Sequence, residues 1–167
     1  MSDTSKNVEL FKEVMGNYPT GVTVVTTNTE DGVPLGLTVN SFASVSIDPL
    51  LILWSIDKRV SSFDVFTTTN KFAVNVLASD QADVCTLFAS RVDDRFANTE
   101  WEQSKFGVPV LKNVAGVFEC EVFNRVEAGD HMILIGKVVE IDSGKKEPLL
   151  YHKRTFGPIP SEFYSVK

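Results

Sequence analysis

The spacing of apolar residues changes once along the chain, and early. Val8, Leu10, Phe11, Val14 and Met15 recur at helical spacing and predict a short amphipathic helix. Gly16-Asn17-Tyr18-Pro19 supplies its stop, and the polar residues 1–7 before it read as loose. From there the pattern turns to strands. Val22 to Thr27 is a β-branched run, and Asn28 to Pro34, with Asp31-Gly32, reads as a hairpin connection. Leu35 to Val45 is the return strand, bent midway. Leu50 to Ile56 is a third strand, whose unbroken apolar run implies burial on both faces. Phe72 to Leu77 is a fourth. Val117 to Val126 and Met132 to Ile141 are two long strands joined by a Gly129-Asp130 turn.

Short helices fit between the strands. One runs from Ser61 to Thr67, with Ser61 and Asp64 spaced as in a capping box; the other runs from Gln81 to Ala89. Residues 90–113 are polar, broken by Pro109, and read as loop with short helical turns. Strands dominate and do not alternate with helices, so the expected class is mainly β with short helices: an antiparallel barrel with helical excursions rather than βαβ units. An apolar barrel exterior on so small a chain points to a homodimer.

Composition narrows the function. The 167 residues fit a single domain. The net charge of −6, with basic residues scattered, argues against nucleic-acid binding, which needs clustered Lys and Arg. Lys58-Arg59, Lys145-Lys146 and His152-Lys153-Arg154 are too short for such a footprint, although a short basic stretch can serve a phosphorylated small molecule. The best apolar run, Pro49 to Trp54, is too short to span a bilayer, so no membrane partner is expected. The polar N-terminus lacks a secretory signal, which makes the cytoplasm the expected compartment. Cys85 and Cys120 form no C-x-x-C pair and share no metal spacing with His131 and His152; they read as reduced cysteines packed as small hydrophobes. The G-x-G-x-x-G, P-loop and G-x-S-x-G motifs are all missing, as is any metal-ligand cluster. An organic cofactor is the natural remaining option.

Four segments carry candidate chemistry. In Gly36 to Ser46, period-2 reading puts Leu37, Val39, Ala43 and Val45 on one face with Ser41, and Thr38, Asn40, Ser44 and Ser46 on the other with Phe42. A half-exposed strand would explain the polar face, but its residues are all small and uncharged, and small side chains let a planar ligand approach the backbone. In Ser55 to Ser62, Ser61 and Ser62 precede a helix, serving as an N-cap, as a phosphate site beside Lys58 and Arg59, or as both. Gly129-Asp130-His131 is a hairpin turn opening a strand. The tail from Pro148 to Gly157 is either a docking strand or a mobile terminus; its interleaved aromatics and bases also suit a nucleotide.

Taken in order, Tyr18 to Thr27, Gly36 to Ser46 with Asp48-Pro49, Asp57-Lys58 with Ser61-Ser62, Asp94-Arg95-Phe96, Gly129 to His131 and Pro148 to His152 resemble the flavin reductase-like family with the FMN-binding split-barrel fold. The resemblance spans roughly residues 8–157 and makes residues 1–167 one such domain. It implies a six-stranded antiparallel split barrel, usually dimeric, with flavin (FMN or FAD) near the dimer interface. It implies that Thr38, Val39, Asn40 and Ser41 lie along the isoalloxazine ring. Ser55, Asp57, Ser61 and Ser62 would hold the ribityl phosphate, and Phe88, Ala89 and Ser90 would also line the flavin. His131 would sit on the nicotinamide side. The implied reaction is hydride transfer from NADH or NADPH to flavin N5, with reduced flavin passed to a partner monooxygenase. Rival readings on the same fold are an electron-carrying flavoprotein and a flavin-dependent oxidase; a third is a binding domain without activity. The sequence departs from the family pattern at Pro49-Leu50, where a second proline is common. It also departs at Trp54, a bulky residue that would bear on the FMN or FAD preference if it faced the flavin's edge.

Overall fold

In the computed structural model, which describes residues 3–165, the apolar and β-branched runs become strands. In chain order the elements are α1 (Asp3–Asn17), β1 (Thr20–Gly21), β2 (Thr23–Asn28), β3 (Pro34–Val39), β4 (Ala43–Ile47), β5 (Leu50–Asp57), α2 (Phe63–Thr68), β6 (Lys71–Val76), α3 (Ala82–Ala89), β7 (Trp101–Gln103), β8 (Pro109–Leu111), β9 (Gly116–Ala128), β10 (His131–Ser143), β11 (Leu149–His152) and β12 (Thr155–Pro158), with single 3-10 turns at Phe96–Asn98 and Ser161–Tyr164.

The main sheet has the order β3-β2-β6-β9-β10-β5-β4, and every neighbouring pair is antiparallel. Its two edges, β3 and β4, are halves of one chain segment. Asn40, Ser41 and Phe42 carry the chain from one edge to the other, so the sheet curls into a barrel whose split is spanned by covalent chain rather than by a ladder. At this bend the Ser41 hydroxyl replaces a missing rung. It donates to the Ser55 carbonyl (3.2 Å) and accepts from the Ser55 amide (3.0 Å). Seven hydrogen-bonded strands thus stand where six were expected, because the bent return strand counts as two.

The bend also shifts the alternation. Leu37 and Val39 pack on the barrel interior, and so does Phe42, whose ring lies 5.7 Å from that of Phe118. The sequence pattern had placed Phe42 on the opposite face, which only an unbroken strand would require. Interior packing comes from Val25, Ile52, Trp54, Ile56, Phe66, Phe72, Val74, Cys120 and Leu134. Trp54 is fully buried there, edge-on to Phe66 and Phe72 at 5.3 and 5.9 Å, so it does not face a ligand cleft. β5 is buried on one face only. Ile52, Trp54 and Ile56 point in, while Leu51 and Leu53 on the other face stay half-exposed among the described residues.

A second core lies on the outer face of β2 and β6, under α3 and the β7–β8 hairpin. Val22, Val24, Ala73, Leu77, Val84, Cys85, Phe88, Phe96, Val108 and Leu111 belong to it. The hairpin stands in the region expected to be loop. It is held from outside: the Leu111 amide donates to Asn75 Oδ1 (2.9 Å), Thr26 Oγ1 to the Pro109 carbonyl (2.5 Å) and Gln81 Nε2 to the Lys112 carbonyl (2.9 Å). No local pattern in residues 90–113 reveals these partners.

The tail is a docked strand. β11 pairs with β12 and β1, and Leu149 is buried in the flank core. The first helix begins at Asp3, so residues 3–7 are helical rather than loose; Asp, Thr and Ser are favoured at helix starts. Its apolar side chains, including Leu10, Phe11, Val14 and Met15, are exposed. Among the described residues no helix is long and apolar enough to cross a membrane.

Candidate active site

A cleft of about 1160 Å³ opens between the outer face of β3, the turn before α2 and the segment after α3. Its first wall depends on Gly36. A Cβ there would lie 2.4 Å from Cε1 of Phe88, so only glycine lets the α3 aromatic seat against the strand. Phe88, Phe96 and Trp101 then stack edge to face, at 5.2 and 5.1 Å. Arg95 locks this wall. Its Nη1 donates to the Gly36 carbonyl (2.8 Å) and its Nη2 to the Ser90 carbonyl, while its Nε is buried without a partner. Ser90 Oγ donates to the Leu87 carbonyl (2.7 Å) and closes α3. Thr38 Oγ1 donates to the Cys85 carbonyl (2.8 Å) and ties β3 to the same helix.

The facing wall is Arg59 to Ser62, directly after β5. Asp57, the last residue of β5, accepts from the Arg59 backbone amide (2.8 Å) and from its guanidinium Nε and Nη2 (3.0 and 2.6 Å). The guanidinium holds the Asp57 carboxyl far below the usual carboxylate range, and the carboxylate raises Arg59 in return. Ser62 occupies the N-cap position of α2, but its side chain makes no capping hydrogen bond, and the helix starts at Phe63 rather than Ser61. The capping box expected from Ser61 and Asp64 is therefore not formed.

The Lys58 amide donates to the Asp130 carbonyl (2.9 Å), tying this turn to the β9–β10 hairpin, where Gly129 has a positive φ of 61°. His131 opens β10 directly across from Asp57. Its Nδ1 lies 2.7 Å from Asp130 Oδ1, and that hydrogen bond holds the Asp130 carboxyl below its usual range.

Of the residues singled out in the sequence, Ser61, Ser62, Phe88, Ala89 and Ser90 line this one cleft. Thr38, Val39, Asn40, Ser41, Ser55, Asp57 and His131 do not. Thr38, Ser41 and Ser55 are engaged in the hydrogen bonds that shape β3 and the split, and Val39 packs on the interior. Asp57 supports the wall through Arg59. The sequence had not singled out Trp101 or the segment Arg91 to Asp93, which also line the cleft, and Arg95 appeared only within the Asp94-Arg95-Phe96 motif. The available signal was an arginine beside an aromatic in a stretch otherwise read as polar loop.

A flavin reductase like domain model matches residues 15–160, and the chain belongs to that family. It is 44% identical over 154 residues to the reductase component of the flavin-dependent trigonelline monooxygenase of Acinetobacter baylyi, covering 92% of this chain and 50% of that protein. It is 41% identical over 152 residues to the FMN reductase (NADH) SmoA of Agrobacterium fabrum, covering 91% of this chain and 86% of that one. The chain thus spans about half the length of the first relative and most of the second. Among solved structures, the NADH:FAD oxidoreductase of Streptomyces globisporus, in complex with NAD and FAD fragments, superposes with a TM-score of 0.87 at 32% identity, covering 96% of both chains.

Proposed function

We infer that this chain is an NAD(P)H-dependent flavin reductase whose FMN or FAD sits in the cleft between Gly36 and Arg59. The observation that carries this reading is the pairing of a backbone-and-aromatic wall with an anchored cation. Gly36, Phe88 and Ala89 offer a planar approach, and Asp57 pins Arg59 beside the free hydroxyls of Ser61 and Ser62. The residues fit such a ligand. The cleft volume lies just above the usual range for small-molecule sites, leaving room for a dinucleotide-sized ligand, the cation suits a phosphate, and the buried Arg95 Nε is a donor still without a partner.

A bound flavin supplies the acceptor for the nicotinamide hydride. Everything else falls to the chain. Arg59, Ser61 and Ser62 hold the phosphate, with Ser55 at the end of the strand that leads to them. Asp57 acts through Arg59, since a carboxylate facing a phosphate directly would be repelled. Thr38, Val39, Asn40 and Ser41 stand outside the cleft itself and continue the strand from Gly36 toward the pyrimidine end, which their backbone amides would serve, and Phe88, Ala89 and Ser90 exclude water from the ring. His131, oriented by Asp130, positions the nicotinamide nucleotide. The rate then comes from holding two rings in register rather than from a protein acid or base.

Residues 1–167 act as one domain in this reading. The chain works in the cytoplasm as a homodimer, supported by the exposed apolar residues Phe11, Val14, Ile47 and Leu50, and hands reduced flavin to a monooxygenase. The test is oxidation of NADH and NADPH in air with FMN or FAD supplied in turn. Turnover only when flavin is present, with His131→Ala raising the KM for the nicotinamide nucleotide more than that for flavin, is the expected result. Flavin binding without nucleotide oxidation would replace the reductase by an electron carrier.

A further inference from the structure

A second cleft, of about 870 Å³, shares no residue with the first; within β7, Trp101 lines the flavin cleft and the next residue, Glu102, lines this one. Its walls mix apolar side chains, Phe106, Val117 and Ile141 among them, with charged ones in about equal share. Glu119 lines it from β9. That residue is only 9% exposed, and its Oε1 is sealed from solvent with no hydrogen-bond partner. Directly across the β9–β10 ladder stands Glu140, which lines the same cleft. Like charges opposite one another in a ladder are unfavourable, and a buried carboxylate without a partner is more so. The nearby lysines do not answer it. Lys112 is bound to Glu102 (2.5 Å), Lys146 faces Asp80 (3.6 Å), and Lys105 makes no ion pair with either carboxylate.

We propose that this cleft binds a small organic cation, an ammonium on an apolar body, with Glu119 and Glu140 as its counter-ions. Once the Glu119 carboxylate turns toward the cleft, an ammonium supplies the donors that Oε1 lacks and relieves the repulsion with Glu140, while the body fills the space between Phe106, Val117 and Ile141. Glu102, Glu119, Glu140 and Asp142 outnumber Lys105, Lys112 and Lys146 along the lining, so an anionic ligand is disfavoured and the cleft does not duplicate the flavin site.

The test is calorimetric titration of the full chain with phenethylamine, set against phenethyl alcohol and phenylacetate, which share its ring. One phenethylamine per chain, bound at least tenfold more tightly than either neutral or anionic analogue and not displaced by FMN, is the expected result. Glu119→Gln weakens it tenfold or more, Glu140→Gln severalfold, and both leave flavin-dependent NADH oxidation unchanged. Should Glu119→Gln fail to fold, Glu140→Gln with the same three probes decides. Three results overturn the proposal: equal affinity for amine and alcohol, as if Lys105 closed over Glu119 in solution; displacement by FMN; or amine binding lost at protein concentrations where a second copy covers the cleft.

Discussion

The barrel interior is packed from Trp54, Phe66, Phe72 and their aliphatic neighbours, and among the described residues of that core the one buried side-chain polar atom without a partner is the indole nitrogen of Trp54. The flank core, on the other face of the same sheet, interleaves Phe88, Phe96 and Leu111 with buried Thr26, Asn75 and Gln81, each bonded to the backbone of the β8 segment. Shape alone specifies the interior, so related apolar residues can replace one another there. The flank is specified by donors and acceptors that must all be met. The candidate active site stands on the flank, since Phe88 and Phe96 belong both to that core and to the cleft wall. Damage to the interior should therefore cost stability while sparing the site, and damage to the flank should cost both.

The largest effect separating the two should come from Phe72→Ala. It empties an interior position that is fully buried and should cost about 3–5 kcal/mol in urea unfolding. The surviving folded protein should keep its flavin KM; a raised KM would mean that the interior shapes the site after all. Asn75→Ala acts on the flank. It strips partners from the Val24 carbonyl, from Thr26 and from the Leu111 amide, for a loss of roughly 3 kcal/mol. Here flavin KM should rise together with the loss of stability, because the hairpin carrying Trp101 is loosened.

Gly36→Ala is smaller in stability and sharper in function. The new methyl must push the Phe88 ring aside, costing about 1–3 kcal/mol. Flavin fluorescence quenching should report a clear loss of affinity, and an unchanged affinity would remove Phe88 from the site. The smallest effect uses the cysteines, one in each core. Burial raises both thiols, and Cys120, with Glu119 beside it, is pushed up to about 12. Near neutral pH both are protonated, so labelling by a disulfide reagent waits for local opening. Cys85 should label before Cys120 if the flank opens first; the reverse order would make the interior the looser core.

Several features were plain in the residues. The β-branched run at Val22 to Thr27, the Gly32 and Gly129 turns, and the midway bend of the return strand all follow from side-chain branching, φ preferences and period. Of the residues that the family resemblance gathers around one flavin, Ser61, Ser62, Phe88, Ala89 and Ser90 surround a single cleft, while Thr38 to Ser41, Ser55, Asp57 and His131 stand outside it. Arg95 is visible in the Asp94-Arg95-Phe96 motif but its role is not: its partners, the Gly36 and Ser90 carbonyls, are backbone atoms whose approach no side-chain pattern encodes. Glu119 was hidden for the opposite reason. In an alternating strand it reads as one more solvent-facing carboxylate.

The sequence by itself determined where strands run, where the chain turns and which family it joins, because those depend on local sterics, periodicity and motif order. Only the tertiary structure decided that residues 90–113 carry a hairpin, which face Phe42 takes and which polar atoms remain unpartnered. Those outcomes rest on contacts such as Thr26 to Pro109, 83 residues apart. A hydrogen bond across that span exists only once the sheet between has curled and brought the two ends to the same face.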